Sequence, residues 1–368
     1  MADNKTLITK CEEKAKQWLS PSFDEQTRTE VQAMLDNPDK TNLIECFYKD
    51  LVFGTGGLRG IMGAGSNRMN IYTVGMATQG FANYLKKCFK DRKEIAVVVC
   101  HDCRNNSRLY AETVANIFSA NGIKAYLFDD LRPTPECSFA IRYLKAQAGV
   151  NITASHNPRE YNGYKAYWDD GAQVLAPHDK GIIDEVNKCS INDVKFEGNK
   201  DLIQIIGEDI DEPYLRQIRT ISIDPEVIKR QHDLKIVYTP LHGAGRVIIP
   251  RSLAYWGFDN VHCVFEQMIK DGNFPTVDRP NPEFAEALTL GLRDAKKLDA
   301  DILMASDPDA DRVGMACKND KGEWVLINGN QTCMIFLWYI ISNRKAKGLL
   351  KPTDFIVKTI VTTELIKK

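Results

Sequence analysis

The chain has 368 residues, 43% of them apolar and 26% charged, a globular composition long enough for two or three cores. Its 48 basic side chains almost cancel its 49 acidic ones, so no net field draws it toward nucleic acid or an anionic membrane. Residues 1–19 are polar rather than signal-like, and the longest apolar run, 333–341, is far too short to span a bilayer.

The first fifty residues read as helical, with Leu7, Ile8, Cys11, Ala15, Trp18 and Leu19 on one face and breaks at Ser20-Pro21 and Asn37-Pro38. A glycine-rich turn, 54–60, follows. It misses the dinucleotide fingerprint because position 59 is Arg59, and no G-K-[ST] occurs anywhere, so a P-loop is absent. A turn presenting backbone N–H groups and Arg59 to a phosphate remains open.

A strand–helix–strand unit comes next: 94–99 as a buried strand, 108–121 as a helix, 124–128 as a strand. The pattern reopens at 234–238, with a loop at 239–245, a helix through Trp256 and a strand at 261–265. Such alternation argues for parallel sheets with right-handed crossovers. Residues 354–358 read as a third opening strand, with a helix from about Thr362, so the chain reads as a fragment of a longer protein. The ten cysteines follow no framework spacing and read as reduced thiols of a cytoplasmic protein. Cys100-His101-Asp102-Cys103 has no second ligand pair, which favours two thiols at a strand end over a zinc or redox site.

Two loops carry chemistry. Thr153-Ala154-Ser155-His156-Asn157-Pro158 follows the apolar run 148–152, and Asp307-Pro308-Asp309-Ala310-Asp311-Arg312 follows 300–305. In open α/β sheets ligands gather at the carboxyl ends of strands. The aspartates are not an EF-hand, since its sixth and twelfth positions are Arg312 and Lys318. Three carboxylates in five residues repel one another unless a cation neutralises them, and three hard oxygens suit Mg²⁺. Ser155 alone reads equally as a nucleophile and as a Ser/Asn/Pro turn, since adjacency to His156 makes no triad. Asn162-Gly163-Tyr164-Lys165 follows closely and adds a lysine.

Taken together, 53–60, 98–104, 153–158, 162–165, 274–283 and 307–312 resemble, in order and spacing, the α-D-phosphohexomutase superfamily of phosphoglucomutases and phosphomannomutases. The long N-terminal helical segment resembles the branch that includes phosphopentomutase-like enzymes and many bacterial phosphoglucomutases. The resemblance implies an α/β fold of repeated mixed, mostly parallel sheets flanked by helices. It implies an N-terminal segment plus phosphoserine domain over 1–205, a magnesium-loop domain over 206–324 and the start of a third domain over 325–368.

It further implies Ser155 as the phosphoserine nucleophile beside His156. Asp307, Asp309 and Asp311 match the Mg²⁺ ligands, with the Ser155 phosphate oxygen completing the set. Lys165 matches an acid/base, while Arg59, Thr55, Gly56, Lys165 and Arg312 match phosphate- and substrate-binding positions. The implied activity moves a phosphoryl group between C1 and C6 (or C5) of a sugar phosphate through a bisphosphate, with glucose 1,6-bisphosphate as activator. Phosphopentomutase, sugar-bisphosphate synthase and a non-catalytic fragment are the alternatives within the family; a phosphatase or kinase with the same magnesium loop is the rival outside it. The expected partner is a sugar phosphate, with no nucleic acid and no membrane. Pro308 and Ala310 stand where the family's metal loop usually has glycine.

Overall fold

The computed structural model describes residues 2–54 and 56–367, and they divide into two compact units, Met1–Ile210 and Asp211–Lys368. Each is a mixed sheet flanked by helices.

The first unit begins with helices Ala2–Gln17, Glu25–Asp36 and Thr41–Phe47. They close a small core of Cys11, Ala15, Trp18, Phe23, Val31, Leu43 and Phe47, in which Trp18 stacks on Phe23 at 4.5 Å. Leu7, expected on that face, is instead exposed. Asp24 caps the second helix by accepting from the Thr27 amide and also receives the Tyr72 hydroxyl, which ties this subdomain to the rest of the unit.

Its sheet comprises β1 (Gly57–Ile61), β2 (Ala96–His101), β3 (Lys124–Phe128), β4 (Ala148–Ile152), β5 (Tyr161–Trp168) and β6 (Ile203–Ile206), in the order β1-β5-β4-β2-β3-β6. β2, β3, β4 and β6 are parallel, and β2 is buried along its whole length, as a sheet covered on both faces requires. Val97 and Val99 pack with Phe81, Val114 and Phe118 on one face. Helix Thr134–Tyr143 packs against β2 and β4.

The glycine-rich stretch is only partly a turn. Gly54 and Gly57 bridge each other, and the chain then runs on as β1, antiparallel to β5. A Cβ on Gly57 would lie 1.7 Å from the Tyr164 carbonyl oxygen, and its φ is 142°, so this crossing admits glycine alone.

The second unit holds β7 (Ile236–Thr239), β8 (Val261–Cys263), β9 (Ile302–Ser306), β10 (Val313–Lys318) and β11 (Trp324–Ile327), ordered β11-β10-β9-β7-β8. Val237, Leu288, Ala295, Leu303 and Ala316 form its core. In both sheets the expected parallel centre is extended by antiparallel neighbours, because β4 and β9 each turn back on themselves into β5 and β10. Those two reversals are the serine loop and the aspartate loop.

Beyond β11 lie a helix, Gly329–Ala346, capped by Asn328, and a tail. Residues 354–358 are not a strand: Phe355 and Val357 are largely exposed, with neither a neighbouring strand nor a covered face to hold them. The helix expected from Thr362 is a single 3₁₀ turn, Glu364–Lys367.

Candidate active site

Ser155 lies three residues past the end of β4, and only 4% of it is exposed. Its φ of 54° is in the left-handed region that costs a non-glycine residue roughly 1–2 kcal/mol, a strain that persists only where the surroundings impose it. The means are visible. The Thr153 hydroxyl accepts from the Ser155 amide at 2.9 Å and donates to Asp102 at 2.7 Å. The Arg104 guanidinium donates to four carbonyl oxygens of this loop and the start of β5: Ser155 at 2.6 Å, Asn157 at 2.5 Å, Pro158 at 2.9 Å and Tyr161 at 3.0 Å.

Arg104 and Asp102 are fully buried as a pair, Nε lying 3.3 Å from the carboxylate. The Arg104 amide and Ser107 hydroxyl complete the carboxylate's shell, and the Asn162 side chain donates to Ser107. Burial pushes the Asp102 carboxyl above its ordinary value; Arg104, Thr153 and Ser107 pull against that shift. Each of these neighbours donates to Asp102, an arrangement that suits the ionised carboxylate.

The side chains of Ser155 and His156 do meet, Oγ to Nδ1 at 3.1 Å. Arg59, exposed on β1, donates to Asn157 at 3.1 Å and so reaches the serine loop. Lys165 sits half-buried on β5, in register with Gly57 on one side and Asn151 on the other. Gly56 has φ 84° in the turn before β1, and its carbonyl accepts from Ala166. Thr55 lies outside the described residues.

In the second unit the 307–312 loop joins β9 to β10. Asp307 and Asp309 are fully buried, Asp311 is exposed, and one oxygen from each lies within 4.8 Å of the others. Asp307 also accepts from the amides of Asp311 and Arg312 at 3.1 and 3.0 Å, so the loop is wound around its carboxylate. Arg312 is exposed at the entry to β10. Three hard oxygens so close, two of them out of water, suit a small divalent cation that keeps its remaining positions for water and phosphate. Ala310 takes φ 52°, a conformation that glycine would adopt without strain.

Asp102 and Arg104 carry roles that the reading of the sequence had not given them. The available signal was a pair of charged residues directly after an apolar strand, overshadowed by the two thiols beside them. Cys100 and Cys103 are both buried.

Residues 50–192 match the model of phosphoglucomutase/phosphomannomutase α/β/α domain I, and 212–322 match that of domain II. The chain belongs to this family. It is 37% identical to human phosphopentomutase over 94% of its own length and 59% of that protein. It is 34% identical to human glucose 1,6-bisphosphate synthase over 95% and 59%, and 35% identical to the phosphoglucomutase of Staphylococcus haemolyticus over 92% and 61%. The chain thus spans about three-fifths of the length of these curated relatives. Among solved structures, a putative phosphomannomutase from Thermus thermophilus superposes with a TM-score of 0.66 at 25% identity, over 81% of this chain and 62% of that one. The fold is therefore that of the phosphohexomutases. No helix among the described residues is long and apolar enough to cross a membrane.

Proposed function

We propose that this family member serves a sugar-phosphate mutase, with Ser155 as the residue that carries the phosphoryl group. The observation that bears the proposal is the strained, nearly buried Ser155, whose loop carbonyls are fixed by Arg104. A phosphoryl carrier must present one oxygen in line with its acceptor, and phosphoryl transfer asks the protein chiefly for such positioning and for charge neutralisation.

Starting from phosphorylated Ser155, a sugar hydroxyl oxygen attacks phosphorus and the bond from phosphorus to Oγ breaks. The hydroxyl proton passes to a base, for which Lys165 is the first candidate and His156 the second. The sugar bisphosphate so formed turns over and returns its other phosphate to Oγ. Arg59, Arg312, Gly56 and Thr55 are assigned to phosphate and substrate binding. Asp307, Asp309 and Asp311 would hold Mg²⁺, an ion that keeps its remaining positions for water and phosphate. Magnesium there would offset the negative charge that accumulates on the transferred group.

Relatives named phosphopentomutase, glucose 1,6-bisphosphate synthase and phosphoglucomutase match at similar identity, which supports a hexose or pentose phosphate as substrate and a bisphosphate as activator. Ten cysteines without a framework spacing support a reducing, cytoplasmic setting.

Incubation with Mg²⁺ and glucose 1,6-bisphosphate, followed by phosphopeptide mapping, tests the proposal. Phosphate is expected on Ser155 and to be absent in Ser155→Ala. Phosphate elsewhere, or none after loading, would overturn the assignment.

A further inference from the structure

The aspartate loop has its own support, in residues to which the sequence motifs assign no role. β7 is parallel to β9, with Thr239 opposite Ala305, so the 239–245 loop emerges beside the aspartate loop. It packs against that loop directly. The Ala244 amide donates to the Pro308 carbonyl at 2.8 Å, and a Cβ on Gly243 would lie 2.4 Å from the Pro308 Cα. Two consecutive non-glycine residues of this loop, Leu241 and His242, take φ of 48° and 68°. Something must hold them there.

What holds them is a directional chain of buried and half-buried hydrogen bonds. The Leu241 amide donates to the Thr239 hydroxyl (3.1 Å), which donates to the Gln267 carbonyl oxygen (2.6 Å). The Gln267 amide nitrogen donates to the Thr276 hydroxyl at 3.0 Å. Thr276 lies 2.8 Å from His242 Nε2, and His242 Nδ1 lies 2.8 Å from the Ile269 carbonyl. A carbonyl can only accept, so Nδ1 carries a proton. Thr276, which accepts from Gln267, has its own hydrogen to give to Nε2. His242 and Gln267 are 1% and 0% exposed, which makes each of these bonds costly to lose.

We propose that His242 is a positioning residue for the cation site. Anchored through Thr276, Gln267 and Thr239, it holds the 239–245 loop against Pro308 and so sets the separation of the Asp307 and Asp309 carboxylates. This inference rests on the reading of the three aspartates as cation ligands. The residues that orient metal ligands typically change affinity by about 10- to 100-fold when removed.

The test is Mn²⁺ binding to the full chain, followed by electron paramagnetic resonance, with folding checked by circular dichroism. Wild type is expected to bind one ion and Asp309→Asn to lose it. His242→Ala and Thr276→Val should weaken binding by about 10- to 100-fold. Thr276→Ser, which keeps the hydroxyl, should recover most of the loss. The preference for Mn²⁺ over Ca²⁺ should narrow in the weakened variants, because a loosened loop tolerates the longer bonds of the larger ion. If His242→Ala does not fold, the two Thr276 variants decide. Folded variants that bind Mn²⁺ as wild type does would overturn the role of His242 and leave the aspartate site standing. A wild-type chain that binds no Mn²⁺ would overturn both.

Discussion

At the scale of single residues, Arg104 is the clearest case of a side chain whose planar shape is its function. One guanidinium serves four carbonyl oxygens and one carboxylate, a pattern a lysine ammonium cannot reproduce with three donors on a flexible stem. Arg104→Ala leaves Asp102 buried without its partner and is expected to cost about 3–5 kcal/mol by urea denaturation. Arg104→Lys should keep the fold more nearly intact yet slow phosphate incorporation at Ser155 by about tenfold or more, because a serine misplaced by an ångström loses in-line geometry. Loading at the wild-type rate in a folded Arg104→Lys chain would show that the clamp is merely structural. Ser155 and the three aspartates could be singled out in the sequence because unusual polar clusters followed apolar runs. Asp102, Arg104 and His242 could not be given roles in that way. Their work is to bond backbone groups and side chains that are distant in sequence, and no spacing rule records such partners.

At the scale of elements, the apolar runs marked the parallel strands well: 124–128 coincides with β3, and the run at 94–99 lies within two residues of β2. What they did not mark is β1, an edge strand of sequence Gly-Leu-Arg-Gly-Ile that owes its existence to β5 beside it. Gly57→Ala places a methyl group on the Tyr164 carbonyl and should detach β1, at a cost of roughly 1–3 kcal/mol. Hydrogen exchange of the amides of 58–61 should accelerate in that variant, and the Arg59 contact with Asn157 should go with it. Unchanged protection would mean that β1 is held by something other than its fit to β5. The end of β2 sets a second expectation. Burial holds the His101 imidazole below its ordinary pKa of 6.5. The unfolded chain therefore binds a proton near that pH which the folded ring refuses. Stability from this residue is complete above about pH 6.5 and is lost as pH falls from there toward the folded value. Urea midpoints at several pH values should slope less in His101→Gln than in wild type, and equal slopes would contradict the assignment.

At the scale of the whole molecule, the apolar clusters around Leu85 and Trp18 draw their described members from Met1–Ile210 and the cluster around Leu303 from Asp211–Lys368, which predicts two separable unfolding transitions in calorimetry. Each transition can be assigned by a buried leucine. Leu85→Ala in the first core and Leu303→Ala in the second should each lower one midpoint, with costs of about 2–5 kcal/mol. With that assignment made, the cation site has a signature independent of catalysis. An ion that binds only the folded second unit stabilises it by about 2.7 kcal/mol when present at a hundred times its dissociation constant. For a unit of this size that amounts to a rise of roughly 5–10 °C in the midpoint. Mg²⁺ should therefore raise the transition that Leu303→Ala lowers, and Asp309→Asn should abolish the rise. A transition indifferent to Mg²⁺ in the wild-type chain would mean that Asp307, Asp309 and Asp311, though gathered within 4.8 Å, form a solvated acidic turn and not a metal site.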